Sequence, residues 1–313
     1  WKNRRRCSLT SSDNSAQGWC EMKETRSIIE HIEDRLPNMS KGHRHIARFI
    51  LGNYDKAAFM TAQKLGSTVG TSESTVVRFA YENGFDGYPQ LQRALQEMIR
   101  NKLTSIQRIE VANDRIGNQD VLSMVMHSDI EKIRMTLEET DRKSFDASVE
   151  AIVAARRIYI LGVRSSSALA GFLSFYFNLI FENVLQVNTT SSSEIFEQIL
   201  RVGKEDVVIG ISFPRYSKRT IKAMNYARNS GATVIAITDK DKSPIADNAD
   251  LALLAPSDMA SFVDSLVAPL SVINALIAAI GYKKRDLVSE RLEKLERVWD
   301  EYEVYDKGDV THV

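Results

Sequence analysis

The sequence predicts an all-α domain followed by an α/β domain whose five-stranded parallel sheet is flanked by helices. Up to about residue 155, apolar residues recur at the three- and four-residue spacing of helices. From residue 156 onward, short apolar runs rich in Val and Ile alternate with helical patterns. Strands that are apolar throughout and separated by helices are typical of a parallel sheet covered on both faces. The length of 313 residues is sufficient for two domains.

The whole chain has no net charge, but residues 22–108 carry an excess of positive charge. The 41 Lys and Arg residues equal the 41 Asp and Glu residues. Residues 22–108 carry 13 Lys and Arg against 9 Asp and Glu, an excess of 4 positive charges that is compatible with phosphate contacts. No apolar run reaches the roughly 18 residues of a membrane span. We therefore expect a cytoplasmic globular protein.

Residues 1–21 differ in composition from the rest and are predicted to be a disordered leader, which could be read-through upstream of a start at Met22. The segment is basic, then rich in Ser and Asn, and shows no hydrophobic periodicity. Both cysteines, Cys7 and Cys20, lie in it, so the predicted folded part has no cysteine for a disulfide or a metal site. The alternative is a basic DNA-contacting arm around residues 4–6.

Residues 22–103 are predicted to form a helix-turn-helix domain. A first helix ends at Pro37, and Ser40 is suited to cap the second. Further along, Ala62 and Leu65 fit the inner face of a short helix that breaks at Val69-Gly70. The next helix begins after a cap at Thr71 or Ser72. The three histidines of this region, at 31, 43 and 45, make no metal set and are predicted to lie on the surface.

The helix after the turn has one apolar side and one side of small hydroxyls with an arginine. Val76, Phe79 and Ala80 recur at core spacing. Such a helix can enter the major groove, where short hydroxyls allow close approach and an arginine reaches phosphate or guanine. The alternative is a plain helical hairpin with a solvated polar face. The predicted DNA-binding residues are Thr71, Ser72, Ser74, Thr75 and Arg78.

Residues 104–143 are predicted to be a helical linker, residues 144–285 the α/β domain, and residues 286–313 a C-terminal helix and tail. Apolar strands are predicted around 156–163, 183–189, 205–212, 233–239 and 250–254. Ligands of such flavodoxin-like sheets bind beyond the carboxyl ends of the strands. The predicted ends of the first and third strands carry hydroxyls and arginines, which suit a phosphate monoester. The alternative is that these serines are only helix caps.

Two groups of motifs resemble the RpiR/MurR family of bacterial transcription regulators. TSESTVVRF at 71–79, followed by Gly84-Phe85 and Gly87-Tyr88, is similar to the family's helix-turn-helix domain. ILGVRSSSALA, GISFPRYSKRT, SGATVIAITD, SPIADNAD and SFVDSLVAP are similar to the sugar isomerase (SIS) domain that follows it. The resemblance covers nearly everything after Met22.

The resemblance implies a phosphosugar effector held by two loops of the SIS domain. Ser166, with Ser165 beside it, matches the first loop, and three hydroxyls match the second. The sequence departs from the family pattern at Arg164, where glycine is frequent, and at residues 213–216, which replace a shorter loop. The arginines are expected either to add affinity for phosphate or to alter the shape of the pocket. The expected effector-binding residues are Arg164, Ser165, Ser166, Ser212, Tyr216, Ser217 and Thr220.

The sequence favours a regulator over an enzyme. Sugar phosphate isomerisation needs a general base and usually a ring-opening acid, often Glu and His. No histidine lies between His127 and His312, and Glu182, Glu194 and Glu197 remain the candidate bases. The alternative is a phosphosugar isomerase or another SIS-domain enzyme. No cofactor and no metal are expected.

The expected partners are double-stranded operator DNA, the phosphosugar and further copies of the chain. A homodimer or homotetramer would place two recognition helices on a palindromic operator. The apolar helix at 262–281 and the C-terminal helix at 286–302 are candidate assembly surfaces; alternatively, the first is pure core. The phosphosugar is expected to stabilise one arrangement and so change DNA affinity.

Overall fold

The computed structural model describes residues 28–100, 106, 108–109, 116, 120–189, 191–257 and 263–305, without the side chains of 97, 99 and 100. The predicted leader, residues 1–21, lies outside these ranges. Contacts divide the chain into two compact units, residues 1–117 and residues 118–313. None of the described helices is both long enough and apolar enough to cross a bilayer.

The first unit is helical, as predicted. Its helices between residues 28 and 100 are α1 (Ile28–Arg35), α2 (Lys41–Gly52), α3 (Tyr54–Ala57), α4 (Ala62–Val69), α5 (Glu73–Glu82) and α6 (Tyr88–Arg100). A 3-10 turn, Leu36–Asn38, follows α1. The predicted cap is confirmed: Ser40 Oγ accepts a hydrogen bond from the His43 N–H, which satisfies one of the free donors at the start of α2.

The core of this unit is built from the predicted apolar stripes. Each helix turns its buried side chains toward the others, and the charged residues remain outside. Helix α5 contacts α2, α4 and α6, so the position of its outer face is set by three neighbours. The fully buried large side chains are Ile32, Ile46, Ile50, Leu65, Phe79, Leu91 and Leu95.

The second unit alternates strands and helices. Its strands are β1 (Arg157–Gly162), β2 (Val184–Val187), β3 (Asp206–Ile211), β4 (Thr233–Thr238) and β5 (Leu251–Leu254). Its helices, within the described ranges, are α7 (Val121–Glu139), α8 (Arg142–Ala154), α9 (Ser166–Ile180), α10 (Ser192–Gln198), α11 (Lys218–Asn229), α12 (Val267–Lys283) and α13 (Arg285–Glu301).

The five strands form one parallel sheet in the order β2-β1-β3-β4-β5. The predicted five-stranded parallel sheet is therefore confirmed. In register, Gly162 at the end of β1 pairs with Ile211 at the end of β3. The chain leaves these two neighbouring strands toward opposite faces of the sheet, which makes their carboxyl ends the point where such folds bind ligands.

Helices cover both faces of the sheet, which explains why β3 is buried along its whole length. Residues of α8, α9 and α12 share a hydrophobic cluster with one face. Residues of α10 and α11 share a cluster with the other. Helix α12 contacts α7, α8, α9 and α13 and buries side chains such as Ile273 and Leu276. This helix, predicted either as an assembly surface or as core, therefore contributes mainly to the core of its own unit.

Candidate functional site

The turn between α4 and α5 depends on two glycines. Gly70 ends α4 with φ 72°, a left-handed conformation that side chains disfavour. A Cβ at Gly66 would lie 2.9 Å from the carbonyl oxygen of Thr71, so only glycine allows the chain to fold back this closely. The predicted break at Val69-Gly70 is confirmed, whereas the requirement at Gly66 is a tertiary contact that the sequence pattern did not indicate.

Ser72 caps the helix that follows this turn. Its Oγ accepts a hydrogen bond from the Thr75 N–H and lies 2.9 Å from Ser74 Oγ and 2.8 Å from Thr75 Oγ1. Three hydroxyls are thus clustered at the N-terminus of α5, where the helix dipole favours negative charge. This arrangement suits contact with a phosphate group.

The predicted DNA-binding residues do not all face solvent. Ser72, Ser74 and Arg78 are exposed, while Thr71 and Thr75 are half-buried. A Cβ at Gly42 in α2 would lie 3.4 Å from Thr75 Cγ2 and 3.8 Å from Thr71 Cγ2, so both methyl groups pack toward α2. Ser74 and Arg78 can therefore reach a ligand directly, and the two threonines hold the helix against its neighbour.

His43 is buried, which corrects the prediction of a surface histidine. The residue is 6% exposed, and its ring packs edge-on against Phe79 with ring centroids 5.7 Å apart. Its Nδ1 lies 2.9 Å from Glu82 Oε2. Because Glu82 is the last residue of α5, this pair connects α2 to the C-terminal end of the helix that carries Arg78.

Tyr88, the first residue of α6, ties that helix to the loop before α4. Its hydroxyl donates to the carbonyl oxygen of Met60 at 2.7 Å, and burial raises the pKa of Tyr88 above its ordinary value. Gln92 also donates to the Met60 carbonyl, at 2.9 Å. Both bonds satisfy the half-buried Met60 carbonyl, which lies in the loop between α3 and α4.

The second candidate site lies at the carboxyl ends of β1 and β3. Because the strands end side by side, the loops that follow them begin side by side. A Cβ at Gly162 would lie 2.5 Å from the Ser166 carbonyl oxygen, so glycine is required where α9 begins close above β1. Ser166 is buried at this helix start, and Ser165 is exposed.

Hydrogen bonds within the loop fix the hydroxyls after β3. Ser212 Oγ accepts from the Ser217 N–H at 3.0 Å, and Ser217 Oγ accepts from the Thr220 N–H at 3.2 Å. Thr220 is 1% exposed, and its Oγ1 has no hydrogen-bond partner among the described residues. An unpaired buried hydroxyl is uncommon, because its desolvation costs about 1–3 kcal/mol.

Both loops contain an arginine with an unfavourable backbone conformation. Arg164 has φ 57° and Arg215 has φ 63°, in the left-handed region that favours glycine. Glycine adopts this conformation without strain, which accounts for the glycine that is frequent at position 164 in the family pattern. Arg164 departs from that pattern. Strain of about 1–3 kcal/mol per residue tends to persist where a site requires it. Both arginine side chains are exposed.

Tyr216 and Asp239 form a pair that the sequence did not indicate. The Tyr216 hydroxyl donates to Asp239 Oδ1 at 2.7 Å and joins the loop after β3 to the end of β4. The predicted residue Tyr216 therefore lies at the carboxyl edge of the sheet, held by an acid that was not predicted. The only sequence signal for Asp239 was its place directly after an apolar strand.

The candidate bases of an isomerase are not brought together. Glu182 precedes β2 at the amino edge of the sheet, where it pairs with Arg291 at 3.1 Å. Glu194 accepts a hydrogen bond from Thr189 Oγ1. Glu197 is exposed on α10. In the described ranges, no cluster of three or more His, Cys, Asp or Glu side chains is arranged to hold a metal ion. Hydroxyls and arginines thus dominate the two loops, a set suited to binding an anion.

Family models match both units. The model described as a helix-turn-helix domain of the rpiR family matches residues 26–102. The model described as the SIS domain matches residues 151–279. The first match contains α4, the turn and α5, and the second contains both loops of the candidate anion site.

Several curated relatives extend over most of the chain. An uncharacterized HTH-type transcriptional regulator of Caldanaerobacter subterraneus is 23% identical over 87% of this chain and 96% of its own length. The HTH-type transcriptional regulator HexR of Pseudomonas aeruginosa is 23% identical over 83% of this chain and 90% of its own length. The similarity therefore includes both units in the same order.

Two solved structures have a similar fold. The sugar isomerase domain of an RpiR transcription factor from Sphaerobacter thermophilus is 28% identical, with a TM-score of 0.55, over 57% of this chain and 99% of that one. The Vibrio vulnificus NanR protein complexed with ManNAc-6P is 21% identical, with a TM-score of 0.55, over 88% of this chain and 98% of that one.

Proposed function

Because this transcriptional regulator joins a helix-turn-helix domain of the rpiR family to an SIS domain, we propose that it controls a sugar or amino-sugar metabolism operon in response to a phosphosugar. The phosphosugar binds between the loops after β1 and β3 and changes the affinity for operator DNA. Such a protein acts in the compartment that holds the chromosome, so a cytoplasmic location is part of the proposal.

The observation that carries the effector half is the buried hydroxyl of Thr220, for which the described part of the chain offers no hydrogen-bond partner. It lies in the first turn of α11, at the end of the helix whose dipole favours an anion. Ser212 and Ser217 accept hydrogen bonds from the backbone, so each retains a hydroxyl proton to donate. A phosphate group, which presents only acceptors when ionised, would complete these bonds. The proposed effector-binding residues are Arg164, Ser165, Ser166, Ser212, Tyr216, Ser217 and Thr220.

The DNA-binding half rests on the exposed end of α5. We assign direct contact with DNA to Ser74 and Arg78, which face solvent. Ser72 starts the helix, and Thr71 and Thr75 seat it against α2. Arg78 is able to bind phosphate or to bind guanine with two hydrogen bonds, and the second mode would contribute to sequence specificity.

The proposed mechanism is a population shift in a homo-oligomer. A dimer, or a dimer of dimers, presents two copies of α5 to the halves of a palindromic operator. A phosphosugar that binds one arrangement of the SIS domains more tightly increases its population, and by linkage operator DNA alters phosphosugar affinity by the same factor.

Fluorescence anisotropy with the full-length protein and labelled DNA from upstream of its own gene tests this proposal. Binding is expected to weaken as salt rises, because phosphate contacts release counterions. One member of a phosphosugar panel that includes ManNAc-6P, the ligand in the NanR structure, is expected to change the affinity. Arg78→Ala should weaken operator binding by about 1–3 kcal/mol.

Arg35→Ala provides the matched control, because it removes an exposed arginine at the end of α1. Loss of binding in both variants would indicate a general charge effect instead of a specific contact. Absence of salt-sensitive DNA binding would rule out the proposed role as a DNA-binding regulator. A DNA affinity that no phosphosugar alters would rule out a phosphosugar as the effector.

The second candidate function is a phosphosugar isomerase, since SIS domains also occur in isomerases. It requires a base near the two loops, and the carboxylate of Asp239 is held at the loop after β3 by its hydrogen bond with Tyr216. Turnover of a sugar phosphate that disappears in an Asp239→Asn variant would favour the enzyme.

A further inference from the structure

Helix α5 carries a carboxylate close to the arginine that we assign to DNA. Glu82, the last residue of α5, follows Arg78 by four residues, and residues at this spacing lie on the same side of a helix, one turn apart. The side chain of Glu82 is 60% exposed. Glu73, the other acidic residue of α5, lies five residues before Arg78 and therefore on a different side. A carboxylate one turn from Arg78 is able to compete with DNA phosphates for its guanidinium.

The structure holds this carboxylate away from Arg78. Glu82 Oε2 lies 2.9 Å from His43 Nδ1 on α2, and the nitrogen donates, because a carboxylate only accepts hydrogen bonds. The guanidinium of Arg78, by contrast, is exposed and makes no ion pair or hydrogen bond with any described residue. The i,i+4 pair that Arg78 and Glu82 could form on one helix is therefore not made.

The location of Glu82 does not stabilise α5 by itself. The C-terminal end of a helix carries the negative end of its dipole, so a carboxylate is disfavoured there. The last turn of α5 contains no basic residue that would compensate the charge. Among the described residues, the hydrogen bond with His43 is thus the contact that fixes where this carboxylate lies.

His43 is itself fixed in place. Its buried ring packs edge-on against Phe79, with ring centroids 5.7 Å apart, and its backbone N–H donates to Ser40 Oγ in the first turn of α2. Glu82 follows Thr75 by seven residues, or about two turns, so it lies on the same side of α5 as the threonine whose methyl group packs toward α2. Nδ1 therefore meets Glu82 from a fixed position on that side.

We propose that His43 is a positioning residue for DNA binding, which keeps the Glu82 carboxylate turned toward α2 so that the Arg78 guanidinium is available to DNA. The hydrogen bond does not remove the negative charge; it determines where the charge lies. Without this bond the carboxylate can reach Arg78, and the resulting pair must break before Arg78 binds a phosphate or a guanine. This inference rests on the proposed function, because it assigns a role within operator binding.

The size of the expected effect follows from the strength of such pairs. An i,i+4 ion pair, together with repulsion between a released carboxylate and nearby phosphates, should weaken DNA binding about two- to fivefold per copy of α5. The proposed dimer presents two copies of α5 to one operator, so the two factors multiply to about 4- to 25-fold.

The test measures operator Kd by fluorescence anisotropy with full-length variants. His43→Phe keeps a ring beside Phe79 but cannot hold the carboxylate, so its Kd should rise about 4- to 25-fold. Adding Glu82→Gln removes the released charge, and the double variant should return close to the wild-type Kd. Glu82→Gln alone should bind the operator at least as tightly as the wild type.

This pattern separates the proposed role from a purely structural one. If the hydrogen bond acted only by tying α2 to α5, every variant that lacks it would bind more weakly, including Glu82→Gln and the double variant. That result would overturn the inference. Far-ultraviolet circular dichroism verifies the fold of each variant, and His43→Leu with the same Glu82→Gln partner replaces His43→Phe if the latter does not fold.

His43→Phe combined with Glu33→Gln is the matched control. It removes a negative charge from an exposed position on α1, in the same unit, and should not restore operator binding. Equal restoration by Glu33→Gln and by Glu82→Gln would indicate a general charge effect and would contradict a specific role of His43.

The outcomes also distinguish this inference from the proposed function. If the wild type binds the operator in a salt-sensitive manner and Arg78→Ala weakens this binding, while His43→Phe keeps the wild-type Kd, only the role of His43 is overturned. A wild-type protein without salt-sensitive operator binding would overturn both.

Discussion

Ser212 Oγ accepts a hydrogen bond from the Ser217 N–H at 3.0 Å, across the loop that follows β3. This bond positions the start of α11, where Ser217 Oγ in turn accepts from the Thr220 N–H. Two hydroxyls are thus held in place by backbone donors while their own protons remain available. Such preorganisation reduces the entropy that is lost when a ligand binds.

Thr220→Val should separate effector binding from folding. Valine has nearly the shape of threonine without the hydroxyl, and the hydroxyl has no described partner. We therefore expect the free energy of unfolding to stay within about 1 kcal/mol of wild type or to rise, because an unsatisfied buried polar group is removed. The rise in Tm caused by the effector phosphosugar should shrink or disappear, as measured by differential scanning fluorimetry.

Ser174→Ala is the control for this substitution. Ser174 Oγ is also buried without a described partner, but it lies two turns into α9, away from the strand ends. It should leave the effector-induced rise in Tm unchanged. An equal loss in both variants, or full retention in Thr220→Val, would place the phosphosugar elsewhere.

Arg164→Gly should raise the stability of the protein and lower its affinity for the effector. Arg164 has φ 57°, so glycine would relieve backbone strain and raise the free energy of unfolding by up to about 1 kcal/mol. If the guanidinium contacts the phosphate, the effector Kd should rise by tenfold or more, since charged hydrogen bonds contribute about 1.5–3 kcal/mol. Urea denaturation and isothermal titration calorimetry measure the two effects.

Glu303→Gly tests whether the backbone accounts for the change in stability. Glu303 has φ 49° but follows α13, far from the two loops along the chain. A similar gain in stability with unchanged effector affinity is expected. If Arg164→Gly keeps wild-type affinity, the arginine serves only the loop and not the ligand.

The secondary structure was predictable because it is encoded locally. Runs such as residues 205–212 are apolar throughout, and β3 is correspondingly buried at every position. Val76 and Phe79 likewise follow the helical period and are fully buried. Ser72 and Ser217, which satisfy the free N–H groups of a helix start, occupy positions typical of caps.

Features that depend on contacts distant in sequence were not predictable. His43 was expected on the surface, but its position on α2 places it against Phe79 and Glu82, more than 30 residues away. Asp239 meets Tyr216 only because β3 and β4 are neighbours in the sheet. The exposure of apolar residues on α7, such as Leu122 and Ile130, was not predictable either, because periodicity identifies an apolar face without showing what covers it.

Gly66→Ala should distort the turn before α5. The added Cβ would lie 2.9 Å from the Thr71 carbonyl oxygen, a backbone atom that cannot move without shifting the start of α5. We expect a loss of about 1–3 kcal/mol in stability, as for overpacking, together with weaker operator binding. Gly52→Ala, which meets no atom within 4 Å, should be neutral or stabilising, because alanine favours a helix more than glycine does. Equal effects of the two variants would contradict this account of the turn.

Asp141 should make the stability of α8 dependent on acid pH. It caps this helix, and hydrogen bonds from the Ser144 hydroxyl and the Lys143 N–H lower the pKa of the Asp141 carboxyl. A carboxyl with a lowered folded-state pKa stabilises the fold above its unfolded value of about 3.9, and the stabilisation is lost as the pH falls through the folded-state pKa. The urea midpoint followed by circular dichroism should therefore decrease below about pH 4 more steeply in the wild type than in Asp141→Asn. Asparagine retains a capping oxygen without the titrating charge, so the two proteins should differ little at neutral pH.

Asp146→Asn, which removes the same charge from an exposed position further along α8, should keep the wild-type slope. If Asp141→Asn also keeps that slope, the cap does not contribute to acid sensitivity.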